Sequence, residues 1–148
     1  MPLIERSALV PYTDAQMFAL VDDIASYPQF LPWCHSATVH HRTEAMVEAS
    51  IEIASMGIHK SFTTRNALHF PSQIMLTLVD GPFNRLEGVW TFTALGDEGC
   101  KIALKLEYEY KGGWAHLAFG TIFSHVAVSL VEAFVARAHQ ILKHEKTD

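Results

Sequence analysis

Cysteine, charge and long apolar runs are all scarce in this chain. Its 148 residues hold two cysteines, Cys34 and Cys100, far apart and without a C-x-x-C or other metal-ligand spacing. A disulfide-stapled fold and a zinc ribbon are excluded, and two buried thiols in a reducing compartment are expected. Charged residues make up 18%, against about 25% in an average soluble domain. Eleven Lys and Arg face sixteen Asp and Glu, a net charge of −5, so bulk electrostatics disfavour naked nucleic acid and no DNA partner is expected. No uninterrupted apolar run reaches the roughly 18 residues of a membrane span. Met1-Pro2-Leu3-Ile4-Glu5-Arg6 lacks a basic region leading into an apolar one. The expectation is a cytoplasmic protein that touches a membrane surface, peripheral to the inner membrane, without spanning it.

Catalytic signatures are missing too. There is no G-x-S-x-G elbow, no H-E-x-x-H, and no glycine-rich phosphate cradle. Nine histidines are present, but His40 and His41 are neighbours on a predicted strand and point to opposite faces, while His125 and His139 stand roughly 21 Å apart along a predicted helix. No metal site is expected. Cys34 and His35 likewise face opposite sides. Glu87, Asp80 and Asp23 become acid–base candidates only if a closed pocket desolvates them. No catalytic residue is assigned and the reading is non-enzymatic, with a cyclase- or dehydrase-like enzyme as an alternative.

What is present is a clear order of elements. Leu3 to Val10 reads as a strand ended by Pro11. Thr13-Asp14-Ala15-Gln16 matches a capping box that opens a helix to about Ala25. From Cys34 to Lys111 the apolar period drops to two, with turn signals at Met56-Gly57, Pro71-Ser72, Asp80-Gly81-Pro82 and Gly96-Asp97-Glu98-Gly99. Gly112-Gly113 is a hinge, and from Trp114 to about Lys143 the period becomes helical, with Phe119, Phe123, Val126, Ala127, Leu130, Phe134, Ala138, Ile141 and Leu142 on one stripe. No repeat or linker divides the chain, so residues 1–148 read as one domain. The order predicts an α+β fold in which a curved antiparallel sheet of about six to seven strands wraps a long C-terminal helix. A twisted sheet and a straight rod do not pack flush, and the gap between them is a natural ligand cavity.

Three features point to such a cavity. Tyr27-Pro28-Gln29-Phe30-Leu31-Pro32-Trp33 sets three aromatics and a leucine around two prolines, which predicts an irregular, extended apolar segment at a binding mouth. Arg137 falls by helical spacing within the apolar stripe, as a snorkelling or paired arginine or as a ligand contact. Phe62, Thr64, Asn66, Leu68 and Phe70 share a strand face with a polar centre. Either that face turns inward and Thr64 and Asn66 find partners, or it meets solvent on a bulged strand. Strand parity and position nominate Phe30, Leu31, Trp33, Phe83, Trp90 and Tyr110 as mouth or wall. Phe62, Asn66, Phe123 and Arg137 complete the ligand-binding set.

At Tyr27-Pro28-Gln29-Phe30-Leu31-Pro32-Trp33-Cys34, at Gly81-Pro82-Phe83-Asn84-Arg85-Leu86-Glu87-Gly88-Val89-Trp90-Thr91-Phe92, and at Glu132-Ala133-Phe134-Val135-Ala136-Arg137-Ala138, the chain resembles a known family. Pro11 to Phe18, read as Pro-Tyr-x-x-x-Gln-Met-Phe, adds to the likeness. The family is that of the coenzyme Q-binding, START-like proteins, within the polyketide cyclase/dehydrase and lipid transport superfamily, and its bacterial members include RatA-type ribosome association toxins. The resemblance implies a helix-grip fold and a hydrophobic tunnel that binds ubiquinone or a related polyprenyl lipid in support of respiratory quinone function. It implies no chemical turnover and no cofactor beyond the bound lipid. As the alternative it implies binding to the large ribosomal subunit, blocking subunit association and hence translation initiation. A domain of this size does not swallow a full-length tail, so part of it should protrude beside a Tyr27–Trp33 gate.

Overall fold

Strands whose one face is buried and other face wet must alternate apolar and polar residues. The structure, a computed structural model, describes residues 3–112 and 117–142 and gathers the alternating stretches into one sheet. Its seven strands are β1 (Leu3–Val10), β2 (Cys34–Arg42), β3 (Met46–Ser55), β4 (Ile58–His69), β5 (Gln73–Asp80), β6 (Phe83–Leu95) and β7 (Gly99–Tyr110). All pairings are antiparallel, in the order β1-β7-β6-β5-β4-β3-β2. Strands β2 to β7 follow one another as hairpins, and β1 closes the row against β7. Register shifts within the β2–β3, β4–β5 and β6–β7 pairs supply the bulges that curve the sheet. This is the α+β arrangement that the element order predicts, and the helix-grip fold that the resemblance implies.

Between β1 and β2 lie helix α1 (Asp14–Asp22) and a 3-10 turn over Ile24–Gln29. The capping box forms as expected: the Thr13 hydroxyl accepts from the Gln16 N–H at 3.1 Å, and the Gln16 side-chain oxygen accepts from the Thr13 N–H at 2.9 Å. Helix α1 stops at Asp22, short of Ala25, and Tyr27 is in the 3-10 turn instead of extended. Pro28 is tolerated because the N–H groups of Ser26, Phe30 and Leu31 carry the bonds, to the carbonyls of Asp23 and Tyr27. The missing proline donor therefore interrupts only one link.

Helix α2 (Leu117–Ile141) packs against β1, β4, β7 and α1. Gly113, Trp114 and Lys143, parts of the expected hinge and helix ends, lie outside the described residues. Phe119, Phe123, Val126, Ala127, Phe134, Ala138 and Leu142 are buried as the stripe predicts, joined by Ile122 and Val131, whereas Ile141 is 40% exposed at the helix end. By length and composition Ala118–Ile141 is long and apolar enough to cross a membrane, at a mean hydropathy of 1.6, but here its stripe packs on the sheet.

Two close approaches fix where α2 sits. The Tyr110 hydroxyl donates to the Gly120 carbonyl at 2.6 Å and is 3.0 Å from Ser124 Oγ, which also meets the Tyr108 hydroxyl at 3.1 Å. A Cβ at Gly120 would stand 2.8 Å from the Tyr110 ring, so only glycine lets the helix come this near. On the sheet, inward-facing Gly88 lies in register between Leu76 and Leu106, and a Cβ there would meet their methyls at 3.2 and 2.9 Å. Gly120→Ala is expected to lose about 1–3 kcal/mol through overpacking, outweighing a helix-propensity gain of at most about 1 kcal/mol. Urea unfolding measures it, and an unchanged or raised midpoint would contradict the close-approach account.

Candidate functional site

Among the described residues the buried side chains of polar type are Thr64 and Asn66, both on strand β4. Thr64 stands opposite Ala49 of β3 and Leu78 of β5, and Asn66 opposite Val47 and Leu76. Both polar side chains face inward and are only 5% exposed. The Thr64 hydroxyl donates to Asn66 Oδ1 at 2.9 Å, which meets part of the hydrogen-bonding demand that burial imposes. Of the two orientations open to this strand face in the sequence, the structure has the inward one.

Around this pair is a cavity of about 80 Å³. Ala49, Ile51, Leu76, Leu86 and Trp90 form its sheet wall. Phe123, Val126, Leu130 and Phe134 of α2 form the opposite wall, and Ile24, Tyr27 and Trp33 close one side. Aromatic clusters in largely edge-to-face contact stop both ends. At one, Phe83 is 4.8 Å from Phe123 and Tyr108 5.0 Å from it, ring centre to ring centre. At the other, Phe134 is 5.4 Å from each of Tyr27, Phe30 and Trp90. Two larger hollows, about 460 Å³ over Ser7, Thr91 and Lys105 and about 380 Å³ between β1 and α2, are open to solvent and more polar.

The volume of the enclosed cavity, about 80 Å³, is well below the roughly 300–1,000 Å³ of ligand pockets. The 3-10 turn and the residues to Trp33 are the segment of the wall outside the sheet and α2. It is held by the Leu31 and Phe30 N–H bonds to the Tyr27 carbonyl and by the Ala54 N–H bond to the Trp33 carbonyl. Arg137 latches its outer side, donating to Gln29 Oε1 at 3.1 Å with its guanidinium 4.9 Å above the Phe30 ring.

Among the nominated residues, Trp33, Phe62, Asn66, Trp90 and Phe123 come together on the cavity wall. Phe30 is half-buried and packs behind Tyr27 and Phe134. Leu31, read as part of the mouth, is 1% exposed in the core and is not a lining residue. Phe83 and Tyr110 belong to the aromatic plug, and Arg137 to the latch. Strand parity finds the inward face but says nothing of depth, which is why plug residues pass for wall. The wall residues not nominated are mostly small or aliphatic: Ala49 and Ile51 were visible as the inward row of β3, whereas Ile24 and Leu130 had no signal separating lining from core.

The chemistry of the cavity is spare. Among the described residues no Asp, Glu, His, Lys, Arg or Cys lines it. Its one titratable group, Tyr27, donates to the Val21 carbonyl, and burial pushes its pKa up, so it stays a phenol. Glu87, Asp80 and Asp23 are exposed and outside it. Cys34 is buried while His35 points to solvent, so no thiolate pair forms. On the outer face, Glu52 lies 3.2 Å from His59 Nδ1, and the His59 hydrogen bond lowers its carboxyl pKa. Among the described residues no group of three metal-ligating side chains is placed to hold an ion.

A curved antiparallel sheet closed on a long helix, with an apolar cavity between them, defines the helix-grip class of START-like folds. The chain belongs to the polyketide cyclase/dehydrase and lipid transport family, whose profile matches residues 10–135. It is 44% identical over 141 residues to the ribosome association toxin RatA of Escherichia coli, covering 95% of this chain and 89% of that one. It is 27% identical over 142 residues to the mitochondrial coenzyme Q-binding protein COQ10 homolog B of Xenopus laevis, covering 92% of this chain and 57% of that one. Among solved structures it superposes on the Zhui aromatase/cyclase of Streptomyces with a TM-score of 0.82 at 13% identity, covering 95% of each chain. A START superfamily protein of Mycobacterium smegmatis gives 0.75 at 19%, covering 94% of this chain and 98% of that one. At such identities the structures attest the fold alone.

Two outcomes follow from burial. Leu31→Asp places a carboxylate in the core and is expected to cost several kcal/mol, read as a lowered thermal midpoint; Trp33→Ala, at a half-buried site, should lose far less. If Leu31→Asp is as stable as the parent, Leu31 is not a core residue. Burial raises both cysteine thiols to about 11, so at pH 8 only about one thiol in a thousand is ionised. Ellman's reagent should react with neither cysteine in the native protein and with both after unfolding. Rapid labelling of native protein would show that one thiol is accessible.

Proposed function

We propose that this chain binds an isoprenoid quinone or a related polyprenyl lipid in the cavity between sheet and α2, without turning it over. The observation that carries the reading is the wall itself, aromatic and aliphatic throughout except for Thr64 and Asn66. Each buried CH₂ equivalent of a prenyl tail contributes about 0.8 kcal/mol before ordering costs, so a few isoprene units suffice for about micromolar binding. At about 80 Å³ the closed cavity takes up only part of such a ligand. Binding therefore displaces the segment from Tyr27 to Trp33, and the remaining tail stays outside or in the bilayer, which gives a cytoplasmic protein transient contact with the inner-membrane surface. The lack of any carboxylate, imidazole or thiol on the wall supports a non-catalytic role, since acid–base and nucleophilic chemistry need such a group within hydrogen-bond reach.

A second reading has its own support. The relative named for ribosome association is 44% identical, a nearer likeness than the coenzyme Q-binding relative at 27%. On this reading the chain associates with the ribosome, through the large subunit, and restrains translation initiation. Exposed Lys101 and Lys105 on the outer face of β7, which form no ion pair among the described residues, would meet the RNA. The two readings use different surfaces, the interior for lipid and the outer sheet face for RNA, so they are compatible in one protein.

Organic extraction of freshly purified protein, analysed by mass spectrometry, tests the lipid reading. Quinone or polyprenyl lipid should copurify and be lost in Ala49→Leu, which fills the cavity. No lipid in either sample, together with no uptake of added decylubiquinone, would overturn it. Cosedimentation with ribosomal subunits tests the second reading: Lys101→Glu with Lys105→Glu should weaken association and leave lipid uptake intact. Unchanged sedimentation would remove that surface from the account.

A further inference from the structure

The polar pair inside the cavity has a direction. A primary amide has one accepting oxygen and an NH₂ that donates twice. Thr64 donates its only hydroxyl hydrogen to Asn66 Oδ1 at 2.9 Å, which fixes the amide with its NH₂ as the free end. Among the described residues no hydrogen bond runs from that NH₂, and Asn66 is 95% buried, on a cavity wall to which they bring neither a cation nor an anion. The amide nitrogen is not one of the fully enclosed atoms without a partner, so its N–H groups open onto the cavity, where a ligand oxygen that accepts from them adds a net hydrogen bond of about 0.5–1.5 kcal/mol.

We infer that Asn66, oriented by Thr64, recognises the head of the bound lipid, and that the head is a neutral group presenting a carbonyl oxygen to the Asn66 amide. The inference rests on the lipid-binding reading and narrows it. A carboxylate or phosphate head would enter a space with no arginine, lysine or histidine on its wall, and the cost of desolvating its charge would go unanswered. A hydroxyl head offers an acceptor as well but also brings a donor, and the Asn66 oxygen is already engaged. A hydrocarbon leaves the NH₂ unsatisfied. The order of preference is therefore ketone or quinone first, alcohol next, then hydrocarbon, with the acid last. The binding site is thus polar at one point of β4 and apolar towards Phe123, Leu130 and Trp33, so the head sits against the sheet and the tail runs along α2 towards the movable segment.

Four probes with one farnesyl tail separate these cases: farnesylacetone, farnesol, farnesene and farnesoic acid at neutral pH. Quenching of tryptophan fluorescence reads their binding, since Trp33 and Trp90 both line the cavity. The parent protein should prefer farnesylacetone to farnesene roughly five- to tenfold, the ratio that one net hydrogen bond supplies. Asn66→Leu should abolish that preference while still binding farnesene. Asn66→Met, of similar reach but without any N–H or O–H, should abolish it as well and provides the reading if Asn66→Leu does not fold. Thr64→Val should free the amide to turn and bring farnesol level with the ketone. Equal binding of farnesylacetone and farnesene by the parent, an undiminished ketone preference in Asn66→Met, or tightest binding of farnesoic acid would each overturn the inference while leaving lipid binding in place. Failure of the parent to bind any of the four would overturn the lipid reading, and the head-group assignment with it.

Discussion

Everything in this molecule depends on the meeting of one apolar helix with one curved sheet. Helix α2 is too apolar to stand in water, and the inward rows of β3 to β7 are likewise too apolar to be left wet. Neither surface is satisfied by its own backbone bonds, so each requires the other. The contact is closest where Tyr110 reaches the Gly120 carbonyl and the side chain is absent from the helix. Further along, the sheet bends and the helix does not, and the distance between them is made up by side chains instead of backbone contact. The cavity is the remainder of that mismatch.

The same mismatch explains why the site has so little chemistry in it. A wall of Leu, Ile, Phe and Trp repels charge, and among the described residues no charged side chain lines it, while Tyr27 on that wall and the two thiols elsewhere in the core are held in their neutral forms by burial. Such a wall also makes Thr64 and Asn66 conspicuous, since a polar pair inside an apolar wall lowers stability unless its hydrogen bonds are met. Their mutual bond meets part of that demand.

The outer face of β7 mixes lysine with glutamate, and Arg85 of β6 engages both Glu87 and Glu107. Among the described residues the segment from Ile24 to Trp33 is the only part of the wall not belonging to the sheet or to α2, and the latch of Arg137 on Gln29 and Phe30 ties its position to the helix. Movement of this segment would therefore be felt by α2.

The fold was legible in the sequence because it depends on periodicity. Val47, Ala49, Ile51 and Ile53 in β3, and Ile102, Leu104, Leu106 and Tyr108 in β7, declare their buried face by alternation, and the stripe from Phe119 to Leu142 does the same at helical spacing. Thr13 and Gln16 marked the start of α1 through local bonding alone. Depth is another matter. Leu31, Phe83 and Tyr110 have the same inward, apolar character as Trp33, Phe62 and Trp90, yet the first three are core or plug and the others line the space. The difference arises from where a curved sheet parts from a straight helix, a property of both together that no strand carries by itself. Nor does alternation reveal whether Thr64 and Asn66 face a partner or solvent, because a single bulge inverts parity. The sequence by itself determined which residues had to leave water; only the tertiary structure decided which of them touch one another and which border empty space, because packing closes distances between segments far apart in the chain.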